Sequence, residues 1–217
     1  MNALRLTAWA AAGAAEGLAA CFAAQFLSGR NRSAARLHKV FILCPLICGG
    51  VMAAAALLWE KMPLLLAFSA LGAAAVHALT DLTDGYIYDS AVLVSFAAAA
   101  VLRWFWQGAG GLVSAFLGAA AGWLPLALVI LLTRGGMGWG DAGMMAGIGA
   151  LLGWKLILIS LYFGVTAGGV CALILLLSGR VRRRDALPLA PFLAFGVCAA
   201  LLCRYFPVQR FLGEVYF

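Results

Sequence analysis

The stretch "TRGGMGWGDAGMMAGIGALLGW" (residues 133–154) places a single carboxylate, Asp141, among eight glycines, inside a chain otherwise rich in apolar residues. Gly136, Gly138 and Gly140 precede the acid, and glycine lets a backbone adopt unusual conformations or approach another chain closely. After the acid, Gly143, Gly147, Gly149 and Gly153 give two four-residue spacings. Such spacings let a second helix pack tightly in a membrane, and the helix bearing another acid, Asp81, is one candidate partner. Asp141 would open its helix, where unpaired N–H groups favour a carboxylate.

The residues outside this stretch say what kind of solvent it sits in. Hydrophobic residues make up 65% of the 217 and charged ones 11%, against roughly 45–50% and about 25% in soluble domains. A soluble core has no use for that much apolar surface. The fold expected is all-α: a polytopic membrane helix bundle forming a single integral membrane domain over 1–217. Apolar runs at about 6–27, 40–59, 63–80, 90–106, 111–133, 142–153, 156–178 and 187–205 give eight helices, or seven. The sixth run is too short to cross a bilayer that needs about 20 residues, and reads as a half-length helix. The first run is longer than a signal-peptide core and is interrupted by Glu16, so it reads as a retained helix.

The net charge of +7 does not indicate a nucleic-acid surface, because the basic residues lie in short loops between apolar runs. With the N-terminus outside, nine Lys and Arg fall on the inner side (Arg30, Arg32, Arg36, Lys39, Arg134, Arg180, Arg182, Arg183, Arg184). Six fall outside (Arg5, Lys61, Arg103, Lys155, Arg204, Arg210). Positive charge favours the cytoplasmic side, and Trp9, Trp59, Trp104, Trp106 and Trp154 then lie near the outer interface. The six cysteines form no C-x-x-C pair and read as small core residues rather than metal ligands.

Only eight residues are acidic, and four of them sit in two short segments: Asp81, Asp84 and Asp89 in "DLTDGYIYD" (81–89), and Asp141 in "GWGD" (138–141). The topology puts both segments on the cytoplasmic face. Ionisable groups near membrane depth are costly and are functional candidates. Two carboxylates held together cannot easily both ionise, so one keeps a proton while the other acts as a base. Such a pair can activate water against a peptide carbonyl. The plain alternative is an N-cap at Asp141 and an ordinary turn at 83–85.

His77 lies four residues before Asp81, on the same helical face. It either tunes Asp81 or, the preferred reading, is a satisfied packing histidine. Glu16, ten residues into the first helix, is a candidate to pair with His77 or a polar backbone site, or to line a water cavity. Asp84 and Asp89 either orient the loop and meet a basic substrate segment or, preferably, are solvated turn acids.

These residues resemble the prepilin peptidase (type IV leader peptidase) family, membrane aspartic proteases of the G-x-G-D type. The family's first catalytic aspartate lies in a pattern like D-x-x-x-x-x-I-P-[DN], and Asp81, Ile87 and Asp89 match it. The second lies in G-x-G-D-x-K, matched by Gly138, Gly140 and Asp141. A third run, "LPLAPFLAFG" (187–196), is also similar, and order and spacing agree over roughly 70–205. Tyr88 stands where the family usually has proline, and Gly143 where it usually has lysine. The segment "SGRNRSAARLHK" (28–39) replaces a cytoplasmic domain with paired C-x-x-C motifs that many bacterial members carry. The resemblance implies an endopeptidase at the cytoplasmic face of the inner membrane, with Asp81 and Asp141 catalytic, no cofactor or metal, and doubtful methyltransferase activity. Its substrates would be prepilins or pseudopilins, with a basic leader and an apolar helix, met within the lipid bilayer. Two other functions fit the same residues: a non-catalytic assembly protein, suggested by Gly143 and Tyr88, and a small proton-coupled transporter, disfavoured because the halves show no repeat.

Overall fold

The computed structural model describes residues 64–133, 136–179 and 187–203, together with Cys48 and parts of 10–24. The described residues are helical, with no strand. The elements are α1 (Ala10–Ala24), α2 (Leu64–Asp84), α3 (Asp89–Gln107), α4 (Ala109–Leu132), α5 (Trp139–Leu152), α6 (Trp154–Leu177) and α7 (Ala190–Cys203). They match seven of the expected apolar runs. Apart from Cys48, the 40–59 run lies outside the described residues.

α2, α3, α4 and α6 are long and apolar enough to cross a membrane. α5 has 14 residues and does not, as its short apolar run implies. The outer surface is apolar: Phe105, Phe116 and Leu177 are 84, 74 and 78% exposed. Side chains of this kind stand outward when lipid is the solvent. The protein is a polytopic helical membrane bundle.

α5 is the central element, with eleven of its residues buried, from Asp141 to Leu152. It packs against α4, α3 and α2. Glycine makes these approaches possible. Gly118 meets Gly149 backbone to backbone, and Gly122 lies on the Met145 backbone. A Cβ at Gly147 would stand 3.0 Å from Ser95 Cβ, and one at Gly143 would stand 3.7 Å from Val92. The glycine stripe therefore receives α3 and α4, and the helix of Asp81, one candidate partner, is not the one seated on it. α2 does touch α5, but α3 and α4 carry the small residues that fit its glycine faces. α7 is held in the same way: Gly164 and Gly168 of α6 face Leu193 and Leu189, and Gly196 lies on Ser160 of α6.

One charge of the outer-side count is enclosed by the bundle. Arg103 lies inside α3 and is fully buried. Its burial is possible because its guanidinium finds carbonyl partners within the protein.

Candidate active site

Four helix ends meet at one end of the bundle: the last turn of α2 and the first turns of α3, α5 and α7. α2 continues past residue 80 to Asp84, so Asp81 sits in its final turn, partly buried. The chain then reverses at Gly85, whose φ of 65° suits glycine and whose N–H donates to the Asp81 carbonyl at 2.9 Å. α3 begins at Asp89, an exposed first-turn acid.

Ile87 links the two acidic motifs. It is buried, and a Cβ on Gly140 would lie 3.0 Å from Ile87 Cβ. Gly140 thus serves close approach rather than an unusual conformation. Gly138, the N-cap of α5, has φ −72° and ψ 139°, angles open to any residue. A Cβ there would stand 3.5 Å from Asp141 Oδ2, an ordinary contact. Gly136 lies farther back, its N–H donating to Thr133 Oγ1 at 3.2 Å.

Asp141 occupies the first turn of α5, buried, its N–H donating to the Gly138 carbonyl at 3.2 Å. Burial pushes its carboxyl up to about 7, and the charge of Asp81 pushes in the same direction. The two acids, sixty residues apart in sequence, therefore sense each other. Asp81 is further held by α7: the backbone N–H of Ala190 donates to Asp81 Oδ2 at 3.1 Å. Ala190 is the first residue of α7, where an N–H has no intrahelical partner. Sequence reasoning did not single out Ala190. The available signal was the start of a helix between two prolines in "LPLAPFLAFG".

The remaining candidates divide into two groups. Asp84 and Asp89 are exposed beside the carboxylate pair, and Tyr88 Oη donates to Asp84 Oδ2 at 2.9 Å. Gly143 faces Val92 at ordinary contact distance. His77 is fully buried one turn before Asp81, but neither ring nitrogen has a hydrogen-bond partner among the described residues. The Ser69 and Ser95 hydroxyls donate to carbonyls of their own helices, at Leu65 and Ala91. His77 and Glu16 line one cavity of about 470 Å³ with Ser69, Ser90 and Ser95.

The profile of the type IV leader peptidase family matches residues 66–173, a segment containing both Asp81 and Asp141. The chain belongs to that family. Relatives named prepilin leader peptidase/N-methyltransferase resemble it. The Bacillus subtilis (strain 168) protein is 42% identical over 86 residues, 40% of this chain and 35% of the relative. The Burkholderia pseudomallei (strain 1026b) protein is 33% identical over 142 residues, 63% of this chain and 46% of the relative. The Aeromonas hydrophila protein is 36% identical over 101 residues, 43% of this chain and 35% of the relative. The matches thus span less than half the length of these relatives. No solved structure gives a significant match.

Proposed function

We propose that this type IV leader peptidase family member is an aspartic endopeptidase of the inner membrane that removes the leader of prepilin-like proteins, with Asp81 and Asp141 as its catalytic pair. The observation that carries this reading is the placement of Asp81 in the last turn of α2 and of Asp141 in the first turn of α5, two helix ends that meet at one end of the bundle. Asp141 holds a proton near neutral pH. Asp81, oriented by the Ala190 N–H, takes a proton from water. The water oxygen bonds to the scissile carbonyl carbon while the Asp141 proton is shared with the carbonyl oxygen. The C–N bond then breaks, and the proton held by Asp81 passes to the departing amine.

The substrate would present a basic leader and then an apolar helix running into the bilayer. Asp84 and Asp89, exposed beside the pair, suit the basic segment. The site would lie at the cytoplasmic face, where such a leader is found.

Co-expression with a candidate prepilin tests this. Wild type should shorten the substrate at the leader junction, read by product mass, and the Asp81→Asn/Asp141→Asn double variant should not. Equal processing by both would contradict the proposal.

A further inference from the structure

Asp141 stands at the N-terminal end of α5, and the C-terminal end of that helix is held in an unusual way. The last four carbonyls of a helix have no intrahelical N–H partner. In α5, the Gly149 carbonyl accepts from Gly153 N–H at 2.7 Å. The next two accept from one side chain: Arg103 Nε donates to the Ala150 carbonyl at 2.8 Å, and Nη2 to that of Leu151 at 3.0 Å. Nη1 donates to Ser114 Oγ of α4 at 2.9 Å. The guanidinium is fully buried and joins three helices. It also puts positive charge at the negative end of the helix dipole.

The seam between α3 and α5 needs such a device. The two helices run parallel, pairing Val92 with Gly143, Ser95 with Gly147, and Arg103 with Ala150 and Leu151. Glycine contacts bring helices close but are smooth, and tolerate sliding along the axis. A two-pronged donor to consecutive carbonyls does not. Arg103 lies about 14 Å along α5 from Asp141, at 1.5 Å per residue. A helix is stiff over that distance, so fixing one end fixes the height of the other.

We propose that Arg103 is a positioning residue: it locks the axial register of α5 against α3 and α4, and so sets how Asp141 meets Asp81. This rests on the proposed peptidase reading for its catalytic consequence, but the register lock is physical and is tested separately.

The test uses full-length protein in membranes. With the six native cysteines replaced, Val92→Cys and Gly143→Cys should cross-link on mild oxidation. Adding Arg103→Leu should lower the yield at least several-fold, and Arg103→Lys, which keeps a donor, should restore part of it. Unchanged cross-linking in Arg103→Leu overturns the lock. In the cleavage assay, Arg103→Leu should lower kcat by about a hundredfold with little change in KM, as misplacement of a reacting group by about 1 Å does. The high-pH limb of its activity should also move to lower pH, as Asp141 escapes the charge of Asp81. A variant that merely folds less well would lose active enzyme and keep both KM and the limb, and that result overturns the positioning role. If wild type cleaves nothing, the peptidase reading fails while the cross-link still decides the register.

Discussion

The backbone N–H of Ala190 donates to Asp81 Oδ2 at 3.1 Å, across 109 residues of chain. This contact joins the third family-like run to the first acidic motif and gives α7 a place in the site. Ala190→Pro removes the N–H at a first-turn position that proline tolerates. A hydrogen bond to a charged group contributes about 1.5–3 kcal/mol, so cleavage should fall about 10- to 100-fold. Ala190→Gly, which keeps the donor, should stay near wild type. Equal rates for the two variants, compared as initial rates, would mean that the bond does not matter to the chemistry.

Asp141 gives the pH dependence a definite sign. Its carboxyl is raised from 3.8 to about 7 by burial and by Asp81. Activity that needs its proton should fall as pH rises through about 7. The same group disfavours the fold when ionised. Its influence on stability is therefore smallest below about pH 4, grows as pH rises from about 4 to about 7, and is constant above. Thermal unfolding in detergent should show that fall in wild type and a weaker one in Asp141→Asn. A flat wild-type profile over that interval would contradict the assignment.

Gly140 and Gly143 look alike in sequence and should respond differently. A methyl at Gly140 would press on Ile87, whereas one at Gly143 has ordinary contact with Val92. Gly140→Ala should destabilise by about 1–3 kcal/mol, the usual cost of overpacking, with partial relief from Ile87→Ala. Gly143→Ala should change stability by less than about 0.5 kcal/mol. Similar losses in thermal midpoint for the two glycine variants would refute this reading of the seam.

Tyr88 takes the place of a usual proline without distorting the loop. Its φ of −79° lies within the range proline adopts, just before α3. Tyr88→Pro should therefore insert and cleave within about twofold of wild type, as should Tyr88→Phe, which loses only an exposed bond to Asp84. A large loss in both would assign the Tyr88 hydroxyl a role in substrate handling.

Much of this arrangement was legible in the sequence because membrane helices announce themselves by length and apolarity. The 63–80 and 90–106 runs appear as α2 and α3, and the short 142–153 run as the half-length α5. α5 starts at Trp139, two residues before the Asp141 expected to open it, because Gly138 already has the extended angles of an N-cap. Arg103 was illegible for a different reason. Positive charge near a helix end normally marks a loop, and its partners lie 47 and 48 residues away. The glycine stripe announced close packing but not its partner, since that depends on which neighbours carry complementary small residues. His77 was expected to be satisfied, and no partner for its ring nitrogens lies among the described residues.

The central claim is that Asp81 and Asp141 act as one catalytic pair. The most direct measurement is the cleavage rate of a purified prepilin by wild type, Asp81→Asn and Asp141→Asn, each reconstituted in liposomes at equal folded amounts. The account predicts that either single replacement abolishes cleavage as completely as the double one, since residues acting as a unit fail together. Substantial cleavage by either single variant would contradict it.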